Sequence, residues 1–104
     1  LQRTPTMTWH TFTLTRAQRA AHETELQMAF DLCFAAAAGP DDMALLTADG
    51  SDGARRYYAS PGMLPWAANL LTQYGALPCA PPAPAGLRLV VGHQGDIEEL
   101  LGLR

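Results

Sequence analysis

The chain is 104 residues long, with 48% hydrophobic and 16% charged residues. That suits a single domain spanning residues 1–104, since one domain typically takes about 100 to 150 residues, and it carries too much apolar surface for a disordered chain. A formal net charge of -3 supplies no positive field to draw the molecule to phosphate backbones or anionic lipid, so nucleic acid is disfavoured as a partner and a membrane surface is excluded.

Residues 1–7 read as a flexible N-terminal extension. The segment "TWHTFTLT" is rich in aromatic and β-branched residues, and its alternation places His10, Phe12 and Leu14 on one face and Trp9, Thr11 and Thr13 on the other. This predicts a first strand. Thr15 with Gln18 forms a Thr-x-x-Gln capping box, which starts a helix at Arg16. Leu26, Phe30, Cys33, Phe34 and Ala37 recur at helical spacing as its buried stripe, while Arg19, His22, Glu23, Gln27 and Asp31 occupy the flank and opposite side. Gly39 and Pro40 should end it, the first by a left-handed cap and the second by lacking an amide donor.

"DMALLTA", "DGSDG" and "ARRYYAS" predict a β-hairpin, because Asp and Gly supply the positive φ angles its turn requires. A second helix follows, capped at Ser60 or begun at Pro65, with Trp66, Leu70, Leu71 and Tyr74 facing inward and Gly75 stopping it. Residues 78–86 read as a stiff proline-rich spacer inside the domain. "LRLVVG" predicts the last strand, and a short helix should begin at Asp96 and be capped by Gly102.

The order strand, helix, strand, strand, helix, strand is that of a split β-α-β or ferredoxin-like α+β fold, here with an additional short C-terminal helix. In that arrangement the first and third strands are central neighbours, the fourth lies beside the first, and both helices cover one face. Phe12, Leu14, Leu87, Leu89 and Val91 should then point at the helices, leaving Trp9, Thr11, Thr13, Arg88 and Val90 outward. Tyr57 and Tyr58 are adjacent and must face opposite ways, so one tyrosine and one of Arg55 and Arg56 join the outward face.

That open face, assigned as Trp9, Thr11, Thr13, Tyr57 and Arg88, is where a partner is expected, either a second copy of the chain or another protein. The leading expectation is a non-enzymatic accessory or regulatory module that homodimerises or docks a partner there. A second is a small-molecule-binding or enzymatic dimer with a pocket between sheet and helices lined by His10, Tyr58, Trp66 and His93. RNA binding ranks third, because RNA-recognition modules alternate aromatics on one face, whereas Tyr57 and Tyr58 are split between two.

No motif names a reaction, and no nucleophile with a base, P-loop or dinucleotide fingerprint is present. His10, His22 and His93 have no fixed ligand spacing, and Cys33 and Cys79 form no C-x-x-C, so neither a metal nor another cofactor is expected. The acidic pairs Asp41/Asp42 and Glu98/Glu99 are adjacent in sequence rather than converging across a cleft, and read as solvated ends. Ser60 with Pro61, and "GHQGD" ahead of the last helix, read as caps rather than anion sites. No apolar run approaches the roughly 18 residues of a membrane span, and a cytoplasmic location is expected. All basic residues other than histidine are arginine, which with the Ala, Leu and Pro bias fits a GC-rich bacterial coding sequence.

Overall fold

The computed structural model describes residues 8–36, 44–83 and 85–92. The expected N-terminal extension, the helix stop at Gly39 and Pro40, both acidic pairs, His93 and the terminal helix lie outside the described residues. The fold is a small α+β domain: strand β1 (Trp9–Leu14), helix α1 (Arg16–Ala36), strands β2 (Ala44–Asp49) and β3 (Arg55–Ala59), a 3₁₀ turn over Pro61–Met63, helix α2 (Leu64–Gln73), and strands β4 (Leu77–Cys79) and β5 (Arg88–Gly92). The strands form one antiparallel sheet in the order β4-β1-β3-β2-β5. No helix among the described residues is long and apolar enough to cross a membrane.

α1 begins where its capping box places it. The Thr15 N–H donates to Gln18 Oε1 at 2.9 Å and the Gln18 N–H donates to Thr15 Oγ1 at 3.2 Å, so each residue satisfies an amide that the first turn leaves free. Leu26 and Phe30 are fully buried, and Cys33 and Phe34 pack more shallowly against the same core. The β2–β3 hairpin also follows the sequence. Gly53, at φ 77°, takes the left-handed turn position, and the Gly50 N–H bonds the Ala54 carbonyl at 2.8 Å.

α2 departs from expectation in its buried face. The chain enters it through the 3₁₀ turn, and Ala67 breaks the helical dihedrals (φ -128°, ψ 19°). The buried row is thus Met63, Ala67 and Leu71, at intervals of four, with Leu70 and Tyr74 flanking it and Trp66 turned out to 49% exposure. Ser60 caps nothing with its hydroxyl; the Ala44 N–H donates to Ser60 Oγ at 2.8 Å, and the Ser60 N–H returns a bond to the Ala44 carbonyl at 2.9 Å. The residue joins the start of β2 to the end of β3. Gly75, at φ 73°, ends α2 as predicted, with its N–H on the Thr72 carbonyl at 3.0 Å.

The strand order differs from the expected ferredoxin-like one. "LRLVVG" does not lie beside β1 but beside β2 at the opposite edge, and the place next to β1 is taken by Leu77–Cys79, whose Pro78 and Cys79 open the stretch read as a proline-rich spacer. β5 pairs with β2 through a bulge: Leu45 stands opposite Val91 and Leu46 opposite Leu89, so Val90 is the extra residue. The bulge reverses several face assignments. Leu87 and Leu89 pack with Trp9 and Leu46 away from the helices, Val90 packs against the helix-side core, and Arg88 stands opposite Thr47, whose neighbour across β3 is the core residue Tyr57.

Phe30→Ala should lower stability in urea unfolding by about 3 to 5 kcal/mol, since it empties a site in the centre of the core. Leu32→Ala, two residues along the same helix but 70% exposed, should change stability by no more than about 0.5 kcal/mol.

Candidate functional site

The register of the central strands decides which side chains meet. Phe12 is paired with Tyr57, and their rings stack at 4.9 Å between centroids and 5° between planes; Tyr74 from the end of α2 stacks on Phe12 at 5.7 Å. Tyr57 therefore belongs to the helix side, correcting its assignment to the open face, and Tyr58 is the outward tyrosine. Arg55 follows Tyr57 inward and Arg56 follows Tyr58 outward.

On the helix side, the hairpin end of the sheet holds a charge network. Glu23 Oε2 accepts from Arg55 Nη1 at 2.8 Å, from Arg19 Nε at 3.2 Å and from the Tyr57 hydroxyl at 3.3 Å. Arg55 Nε donates to Asp49 Oδ1 at 2.9 Å, Arg88 Nη2 donates to Asp49 Oδ2 at 2.9 Å, and Arg19 Nη1 donates to the Gly53 carbonyl at 2.8 Å. The network links α1, the hairpin and β5. Sequence reasoning missed it, although the i, i+4 spacing of Arg19 and Glu23 was a visible signal for its first pair. Burial and the Glu23 charge push the Tyr57 phenol above its ordinary value. The side-chain hydrogen bond from Arg55 holds the Asp49 carboxyl below its ordinary value. Arg55 is opposed by burial, yet its hydrogen bond to Asp49 and the charges of Asp49 and Glu23 leave it raised. The network's acids and bases are paired with one another and tie α1 to the hairpin and to β5.

The face away from the helices has two regions. One is apolar: Trp9 and Leu46 form its centre, with Tyr58, Cys79, Leu87 and Leu89 packed around them. Trp9 is only 3% exposed and packs with Leu46, so it does not present the naked indole expected of an interface residue. Cys79, paired with Trp9, is half-buried, and burial pushes its thiol up. The other region is polar. Thr13 and Arg56 are cross-strand partners and both are exposed, Thr11 is half-buried with its hydroxyl donating to the Tyr57 carbonyl at 2.9 Å, and Tyr58 is half-buried between the two regions.

A groove of about 370 Å³ opens over this polar region, between Thr13, Arg56 and Tyr58 on the strands and the hairpin turn. A smaller hollow of about 250 Å³ lies at the junction of β1, α1 and α2, lined by Thr13, Leu14, Gln18, His22, Gln73 and Tyr74. The expected pocket between sheet and helices does not draw its described residues together. His10 lies on the helix side between Ala59 and Pro78, Tyr58 is on the opposite face, and Trp66 points to solvent. The buried Nδ1 of His10 has no hydrogen-bond partner among the described residues. Arg88 likewise leaves the predicted open face for its ion pair with Asp49. Among the described residues, no group of three or more His, Cys, Asp or Glu side chains could hold a metal ion, and both cysteines are free thiols.

Comparison with protein-family models, with curated protein sequences and with solved structures finds no match to this chain.

Two outcomes follow from these placements. Trp9→Ala should cost about 3 to 5 kcal/mol in urea unfolding, because it removes the centre of a closed cluster; a loss near zero would show that Trp9 is not held there. Asp49 has a folded-state pKa below its ordinary 3.8, so its stabilising effect is complete above that pH and is lost as the pH falls through the folded-state value. The stability gap between the native chain and Asp49→Asn should be full at neutral pH and close in acid below 3.8, as read from urea midpoints across pH.

Proposed function

We propose that this domain is a non-enzymatic accessory or regulatory module that pairs with a second copy of itself through the sheet face turned away from the helices. The observation that carries the reading is Leu77. It is 67% exposed on β4, stands opposite Thr11, and shares its face with the half-buried Tyr58, Cys79, Leu87 and Leu89. Apolar surface thus continues from the closed cluster to the sheet edge, on a face against which neither α1 nor α2 packs its buried row.

Burying one large aliphatic side chain contributes about 1.5 to 3 kcal/mol before the cost of association. A two-fold partner offers the same row in reverse, so one patch serves both sides. Met28 and Leu32, also exposed on α1, are a weaker docking surface because Asp31 and Glu25 are exposed beside them and scattered apolar residues need no cover. Burial pushes the Cys79 thiol up, which disfavours its nucleophilic thiolate form.

The architecture fits this reading. We take β1, α1, β2, β3, α2 and β4 as a split β-α-β core of the ferredoxin-like kind, supported by the antiparallel order β4-β1-β3-β2, with β5 as an added strand beyond β2.

Sedimentation across a concentration series tests the function. A concentration-dependent dimer is expected, with Leu77→Glu weakening it by about tenfold or more and Leu32→Glu leaving it unchanged. A monomer at every concentration, or a dimer lost with Leu32→Glu and kept with Leu77→Glu, would overturn the reading.

A further inference from the structure

The groove beside the hairpin is lined by polar side chains that leave bonding capacity unused. On the helix side, the guanidinium groups of Arg19, Arg55 and Arg88 are each bound to a carboxylate. Arg56, in the groove, has no carboxylate partner among the described residues, and neither the Thr13 hydroxyl nor the Tyr58 hydroxyl makes a hydrogen bond there. These three groups are neighbours by construction. Thr13 stands across from Arg56, and Tyr58 is two residues along the same strand on the same face. A fork of N–H donors with an adjacent hydroxyl matches a carboxylate, which a guanidinium can hold with two parallel bonds.

The turn side supplies the opposite charge. Both oxygens of Asp49 are taken by Arg55 and Arg88, so Asp49 is compensated although it borders the groove. Asp52, also lining it, has only a weak bond from the Ser51 hydroxyl at 3.4 Å and no cationic partner among the described residues. The lining of the groove therefore includes one cation and one anion with no ionic partner among the described residues, Arg56 on the sheet and Asp52 in the turn. Ala48, Ala54 and Tyr58 add apolar surface to the lining. A volume of about 370 Å³ lies at the small end of ligand pockets, which run from about 300 to 1,000 Å³.

We propose that this groove binds a free amino acid as its zwitterion, with the α-carboxylate on Arg56 and Thr13, the ammonium group toward Asp52 and the side chain against Tyr58. A dianion such as phosphate is disfavoured because Asp52 would repel its second charge, and a simple carboxylate would leave Asp52 without a partner. The site draws all of its lining residues from one chain.

Titration of the isotope-labelled chain, followed by amide and side-chain NMR shifts, tests the assignment with four probes: free phenylalanine, its N-acetyl derivative, its amide and inorganic phosphate. Free phenylalanine should shift Thr13, Ser51, Asp52, Arg56 and Tyr58 at millimolar concentration, with the other probes weaker by about tenfold or more. Arg56→Gln, an exposed position whose fold is checked by the spectrum itself, should abolish the shifts. Asp52→Asn should remove the preference for the free amino acid over its N-acetyl derivative. Absence of shifts with free phenylalanine, equal shifts with phosphate, or binding that survives Arg56→Gln would overturn the proposal.

Discussion

The stacking of Phe12 on Tyr57 in the centre of the sheet is the contact on which every other assignment depends. Two aromatic rings opposed across neighbouring strands fix the register of β1 against β3, because slipping by one residue would carry Tyr57 into water and bring Tyr58 under the helices. The same choice carries Arg55 to Glu23 and Arg56 to the groove. It also sends Trp9 to the face opposite the helices, in a cluster separate from the main core. The adjacent residues Arg55 to Tyr58 are sorted by this one pairing into a structural pair and a surface pair.

That sorting divides the charge of the molecule as well. The helix side joins α1 to the hairpin through Glu23 and Asp49: Glu23 Oε2 accepts from two arginines and a phenol, and each Asp49 oxygen accepts from an arginine. Such a network gives orientation more than energy, since partly exposed ion pairs contribute little each; it holds α1 at a fixed angle over the sheet at the hairpin end. The other side is left with groups whose bonding capacity remains open, and the turn between β2 and β3 brings an acid and a base to one groove.

Local signals were the most legible in the sequence. The capping box of Thr15 and Gln18, the stripe of Leu26 and Phe30, and the Asp-Gly turn each depend on residues close in the chain, and each is found where the pattern places it. What the sequence concealed depends on distant partners. Leu77–Cys79 carries too much proline to read as a strand, yet it pairs with β1 because that edge is open to it. β5 could have joined either edge, and the bulge at Val90, which no local pattern announces, reverses the faces of Leu87 and Leu89. Trp66 was misplaced because a 3₁₀ turn and the break at Ala67 rotate the start of α2. The site was legible in its parts, since Thr13, Tyr58 and the arginine pair were visible, but their meeting needed the register.

The sheet ends at β4, a strand of three residues with Pro78 at its middle. Proline has no backbone donor, so this border is a poor template for another β-segment, and its brevity leaves few bonds to offer. Lateral growth into ribbons or fibrils is therefore discouraged along that margin, even though hydrophobic Leu77 sits on it. A molecule built this way can expose a greasy side chain while denying its backbone to indiscriminate polymerisation.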